Sequence, residues 1–224
     1  MSSTPSPKIA GILLTALLLG LSGCATQPVP PEPLPQKQIT TLTKHQQQLK
    51  GLQNWQIKGR LVLSYNGDSW NASIHWQNHP DRYDIQLYLP LGQGSMQLNG
   101  DQNGATLNTS DGEHFTAKNG ENLFYQQFGF TFPIGALHEW VTGRPDMRAS
   151  ASNNWQQQVD KDGQMVSLNQ NNWNLRLPSY QKVTTVSSNA THDAAKILSL
   201  PRKIFLRQNG KSIRLVIQQW QLND

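Results

Sequence analysis

Hydrophobic and polar residues alternate over most of this chain, and the alternation predicts its elements. From Trp55 the period is two. Ile57, Leu61, Leu63 and Tyr65 alternate with Lys58, Arg60 and Ser64, and Trp70, Ala72, Ile74 and Trp76 alternate with Asn71, Ser73, His75 and Gln77. Tyr83, Ile85, Leu87 and Leu89 follow, then Met96 and Leu98, Ala105 and Leu107, and Phe115. Strict alternation over four to eight residues is the mark of a strand buried on one side. Asn66-Gly67, 78–81, 90–94, 101–104 and Asp111-Gly112 are turn chemistry at regular spacing. The pattern predicts an antiparallel meander with one apolar and one polar face.

The period then changes. Glu121 to Phe128 reads as a helix with Leu123, Phe124 and Phe128 on its apolar side. Pro133 to Thr142 reads as a second, with Leu137, Trp140 and Val141 as its buried stripe. Pro133 suits the first helical position and Gly143 the C-terminal cap. Strands resume over Asn154–Asp160, Met165–Asn169, Trp173–Leu177, Lys182–Val186, Ile204–Arg207 and Ser212–Gln221. The last places Ile213, Leu215 and Ile217 on one face and Val216 and Trp220 on the other. Ahead of the sheet, Ile39, Leu42, Leu49 and Leu52 predict a polar helix from Gln38 to Leu52, its last turn weakened by Gly51. About eleven strands with few helices make a single large sheet that must curl to hide its apolar face. Part of that face is expected to lack a protein cover.

The N-terminal segment adds an address. Lys8 precedes an apolar run, Ile9 to Leu21, and small residues lead to Cys24. That order is a secretory signal, and the run is shorter than the roughly 20 apolar residues a bilayer span takes. Leu21-Ser22-Gly23-Cys24 resembles the lipobox of bacterial lipoproteins, in which the cysteine is acylated and becomes the first residue. The expected organisation is a signal peptide over 1–23, a lipidated N-terminus and tether over 24–36, and one domain over 37–224. Pro28, Pro30, Pro31, Pro33 and Pro35 make the tether extended and semi-rigid, at about 3.1 Å per residue.

Composition narrows the function classes. The formal charge of +5 is mild and its cations are scattered in sequence. A nucleic-acid binder would show a basic stripe with a matching motif, so no nucleic-acid partner is expected. Cys24 is the sole cysteine; once acylated it leaves no thiol for a disulfide, and the fold must stand on packing. His45, His75, His79, His114, His138 and His192 show no zinc-like spacing, so no metal is expected. Gly92-Gln93-Gly94 lacks the strand-to-helix context of a nucleotide site, and the carboxylates near turns and helix ends read as solvated. The expectation is a protein without cofactor that is not an enzyme. Seven tryptophans are many for this length; each could fill a core, or line a glycan groove or a lipid cavity, and Trp76, Trp140, Trp173 and Trp220 together sit in an apolar set large for a thin core.

Specific runs carry a family resemblance. Trp76-Gln77, Asp81-Arg82-Tyr83, Leu89-Pro90-Leu91-Gly92 and Met96-Gln97-Leu98-Asn99 come first. Tyr125 to Gly129, Phe132-Pro133-Ile134, Leu137 to Pro145 and Leu215 to Trp220 follow. With the lipobox, this ordered set resembles the LolB family of outer-membrane lipoprotein receptors over about Gln53 to Gln221. The resemblance implies a mainly β fold with helices (α+β). It would be an incomplete antiparallel β-barrel, or half-barrel, of about eleven strands, with helices capping its concave face around an apolar cavity. It implies a lipid-anchored protein on the periplasmic face of the outer membrane, acting as a monomer. Such a receptor accepts the acyl chains of lipoproteins from a LolA-type periplasmic carrier and inserts them among the outer-membrane phospholipids, without nucleotide. Ala25, not Asp, follows Cys24, which in this system agrees with outer-membrane sorting. The alternative is another envelope lipoprotein that binds hydrophobic ligands or assists assembly.

Strand alternation chooses the face, and with the apolar sides of the two helices it gives the expected lining of the acyl-chain cavity. It comprises Leu63, Ile74, Trp76, Ile85, Leu87, Met96, Leu98, Phe128, Leu137, Trp140, Trp173, Leu175, Ile213, Leu215 and Ile217. The turn Leu89-Pro90-Leu91-Gly92 is apolar where turns are normally polar. By family likeness, Leu91 is expected at the tip of a membrane-inserting loop.

Overall fold

A computed structural model of the chain describes residues 36–148, 155–185 and 196–222. All of them fall within the unit Leu34–Asp224. The expected signal peptide, Cys24 and the tether up to 35 lie outside the described residues, as do Asn154 and Val186 of the expected strands.

Helix α1 (Gln36–Leu49) leads into six strands: β1 (Trp55–Tyr65), β2 (Asp68–Asn78), β3 (Arg82–Tyr88), β4 (Ser95–Asp101), β5 (Ala105–Thr109) and β6 (His114–Ala117). A single 3-10 turn, Pro90–Gly92, joins β3 to β4. Helices α2 (Gly120–Phe128) and α3 (Ile134–Val141) follow. Then come β7 (Gln156–Val159), β8 (Met165–Gln170), β9 (Trp173–Thr184), β10 (Ile197–Gln208) and β11 (Lys211–Leu222). The eleven strands form one antiparallel sheet in the order β6-β5-β4-β3-β2-β1-β11-β10-β9-β8-β7. Two meanders are thus joined where the first strand pairs with the last, and β6 and β7 end the sheet without closing it.

Local chemistry sets the hairpins. Asn66-Gly67 and Asn209-Gly210 both have positive φ, the combination that turns antiparallel strands in two residues. At α2, the Asn119 side chain accepts the Asn122 N–H at 2.8 Å, and Gly129 ends the helix in the left-handed region at φ 71°.

Four sequence expectations need correction. Trp173–Leu177 and Lys182–Val186 are parts of one strand, β9, and β10 begins at Ile197 instead of Ile204. The prolines hid this. Pro178 and Pro201 sit where the β9–β10 register slips, and such irregularities are where a strand tolerates proline. Trp220 faces the core, not the opposite side from Ile217. Lys58 pairs with Gln219 and Gly59 with Ile217, so one extra residue of β11 resets the alternation. The inward indole donates to the Pro201 carbonyl at 3.0 Å. Finally, α1 buries His45 and Leu49, with Leu52 after its end also buried, while Ile39 is 41% exposed.

Helix α1 lies over the C-terminal meander. His45 meets Tyr180 of β9 edge-on, and Gly163 in the β7–β8 turn fits against the backbone of Thr41 and Leu42 so closely that a Cβ would clash. Arg144 fastens the end of α1. Its Nη1 donates to the Leu49 carbonyl at 2.9 Å, and its Nη2 lies 2.9 Å from the Glu139 carboxylate of α3. A cation on the last carbonyls of a helix offsets both the unpaired acceptors and the dipole.

Candidate functional site

The inner face of the sheet is treated differently in its two halves. Over β8–β11, helices α1 and α3 close it. The Trp140 indole donates to Gln170 of β8 at 2.8 Å, and the Gln170 amide donates to the Asp146 carbonyl at 2.8 Å. Over β1–β5 the face stays open beneath a roof of phenylalanines. There the structure holds a cavity of about 380 Å³. This is within the usual size of sites that enclose one small ligand.

Strand alternation builds the floor. Ile74 pairs with Leu87 and Trp76 with Ile85; Leu87 pairs in turn with Met96 and Ile85 with Leu98. All six line the cavity, with Leu61, Leu63, Trp70, Ala72, Leu89, Leu107 and Leu215 around them. The roof comes from α2, α3 and the segment between them: Phe124, Phe128, Phe130, Phe132 and Leu137. Phe124 stacks on Phe132 at 5.0 Å and meets Phe128 at 5.1 Å. Gly129 lets the chain reverse between Phe128 and Phe130. Phe128 is 40% exposed and Trp70 46%, so the cavity has an aromatic rim. No lining residue is charged.

Ten of the fifteen residues expected from the sequence line this cavity. Trp140, Trp173, Leu175, Ile213 and Ile217 do not. They are buried in the same core, but under the closed half of the sheet. The period of two selects a face and says nothing of which part of it a helix covers. Phe130 and Phe132 were missed because they sit in an irregular connection with no period. Leu61, Trp70, Ala72 and Leu107 were legible as inward residues, and their own alternation was the signal.

Beside the cavity lies an aromatic knot. Trp55 meets Trp76 at 5.0 Å and Trp220 at 5.5 Å, and stacks on His138 of α3 at 5.9 Å. Among the described residues, His138 Nε2 is buried without a hydrogen-bond partner. Burial, and then the nearby Arg148 and Arg144 guanidinium groups, lower the His138 pKa to about 4, against a smaller opposing pull from Asp146. Between pH 6.5 and 4 the unfolded chain therefore binds a proton that the folded one refuses, so stability falls as pH falls through that window. A shift of this size corresponds to about 3 kcal/mol. The urea midpoint should drop accordingly between pH 7 and pH 4.5, and His138→Gln should flatten the slope. An unchanged slope in His138→Gln would assign the acid sensitivity to other groups.

The apolar turn between β3 and β4 projects outward. Leu89 N–H donates to the Gly94 carbonyl at 3.0 Å and Gln93 N–H to Pro90 at 3.2 Å, closing the loop. Leu91 at its tip is 97% exposed and holds φ 56°, ψ 26°. That left-handed conformation costs a leucine roughly 1 kcal/mol. Leu89, at its base, lines the cavity. A wider trough of about 1050 Å³ runs along β2–β6, past Gln77, Asp84, Asn99 and Thr116; unlike the cavity it has charged residues in its wall, among them Arg82, Asp84, Asp101 and Lys118.

An open antiparallel half-barrel, with short helices roofing part of its concave face over an uncharged cavity, is the class this fold and site define. The sequence profile of the family described as "Outer membrane lipoprotein LolB" matches residues 53–220, and the chain belongs to that family. It is 34% identical over 213 residues to the outer-membrane lipoprotein LolB of Cellvibrio japonicus, covering 94% of each chain. It is 30% identical to that of Nitrosococcus oceani, covering 94% of this chain and 96% of the relative. Among solved structures, a LolA superfamily protein from Nitrosomonas europaea aligns with a TM-score of 0.45 at 6% identity, over 83% of this chain and 91% of that one.

Proposed function

We propose that this protein is an outer-membrane receptor that takes lipoprotein acyl chains into the cavity from a LolA-type periplasmic carrier and passes them to the facing leaflet. The observation that carries the reading is the cavity itself: about 380 Å³, open at an aromatic rim, with no charged residue in its wall. An acyl chain loses about 0.8 kcal/mol of burial per methylene exposed to water, so cargo with several chains needs an apolar surface throughout its journey. Exchange between two such cavities needs only a small difference in affinity, and neither nucleotide nor catalysis. Residues 1–23 serve as signal peptide. Cys24 carries the lipid anchor, and the tether up to 36 holds the domain, as a monomer, near the receiving leaflet.

Leu91 completes the reading at the membrane. A fully exposed leucine held in a strained turn next to the cavity wall suits a tip that dips among lipids. Leu91→Glu should leave fatty-acid probe affinity within about twofold and cut cargo delivery to vesicles about tenfold. Normal delivery by that variant would remove the tip from the mechanism. The whole proposal is tested by incubating the purified protein with carrier loaded with a lipoprotein and following the cargo by pull-down. Transfer to the receptor is expected. Cargo that stays on the carrier at every ratio, while a free fatty acid still binds, would favour a general envelope lipid binder instead.

A further inference from the structure

Charge is sorted by position in the sheet. Every charged residue in β1 and β7–β11 is a cation; none of these six strands contains Asp or Glu. The pairing places these cations side by side on the outer face. Arg60 pairs with Val216 and Val216 with Lys203. One step on, Val62 pairs with Arg214, Arg214 with Phe205 and Phe205 with Arg176. One further step places Ser64, Ser212 and Arg207 in a row. Arg60, Arg176, Lys203, Arg207 and Arg214 make no ion pair among the described residues. Between them sit Val62, Val216 and Phe205, with the Arg214 guanidinium 5.4 Å over the Phe205 ring.

We infer that this outer face of β1, β11, β10 and β9 is a docking surface for the anionic phosphates of a phospholipid bilayer. Adjacent strands lie about 4.8 Å apart, so the face offers a regular array of point charges on a broad surface with small apolar patches. Such an array matches the charge density of a phosphate surface. Its position agrees. Tyr88, the last residue of β3, is in register with Ser73, and Ser73 with Arg60. The Leu91 tip beyond Tyr88 is therefore level with the Arg214 and Arg207 rows. The inference goes beyond acyl-chain transfer, since it uses the face opposite the cavity.

The test uses the full chain in vesicles. Asn174→Cys lies beside Arg207 in the array and takes an NBD label. Thr116→Cys on β6 is the reference position. On vesicles of phosphatidylcholine with phosphatidylglycerol, emission at position 174 should rise at least twofold over pure phosphatidylcholine. The rise should vanish in 1 M NaCl, where screening is nearly complete, and in the exposed double variant Arg207→Glu/Arg214→Glu. Position 116 should not respond. No rise at 174, an equal rise at 116, or a rise on neutral vesicles only when an acidic carrier protein is added would overturn the inference. A Leu87→Asp chain should respond like the parent, so failure of the cavity reading leaves this result legible.

Discussion

Leu87→Asp is expected to abolish acyl-chain uptake while leaving the protein folded. Leu87 sits mid-floor between Ile74 and Met96 and is only partly buried, so the domain does not depend on it for its core. An aspartate there would meet no cation, because no lining residue is charged. Bringing an apolar chain against it would desolvate an unpaired carboxylate, a loss of about 3 kcal/mol or more. Affinity for a fluorescent fatty acid should therefore fall at least about 100-fold, whereas Leu87→Ala should lose about tenfold at most. Circular dichroism should show both variants folded. Binding of the aspartate variant within threefold of the parent would place acyl chains elsewhere.

The second large effect concerns the seam between the two meanders. At Gly59, a Cβ would stand 2.3 Å from the Val216 carbonyl oxygen and 3.2 Å from the Ile217 Cα. Both obstacles are backbone, and both belong to the irregularity that turns Trp220 inward. Gly59→Ala must either push β11 away or straighten the slip, and each choice exposes part of the aromatic knot. A loss of about 3 kcal/mol, in the range of serious core disruption, should lower the urea midpoint with little change in slope. Gly51→Ala is the control: nothing lies within 4 Å of its Cβ, so stability should hold or rise slightly. Equal behaviour of the two variants would show that the seam accommodates a side chain.

Much of the sheet is legible residue by residue. Ile74, Trp76, Ile85, Leu87, Met96 and Leu98 share one face because a strand presents every second side chain to one side, and that follows from backbone geometry alone. The Asn-Gly turns announce themselves because positive φ suits few other residues. The Gln218–Gln219 slip was not legible, because a bulge has no composition of its own here; its partner Gly59 looks like any strand glycine. The length of β9 was hidden for a similar reason: Pro178 reads as a break, and only the partner strand shows that the sheet continues past it.

The site divides along the same line. Sequence by itself determined the first meander, the inward set of its strands, the uncharged character of that set, and the family, because all of these depend on neighbours along the chain. Tertiary structure alone decided that α1 and α3 close one half of the inner face and leave Trp140, Trp173 and Leu175 as core. The other half stays hollow beneath Phe124, Phe128, Phe130 and Phe132. It also decided that cations scattered from Arg60 to Arg214 stand in adjacent rows. Pairing of β1 with β11, from Trp55 with Leu222 to Tyr65 with Lys211, brings together residues from opposite ends of the domain, and no local pattern carries that separation.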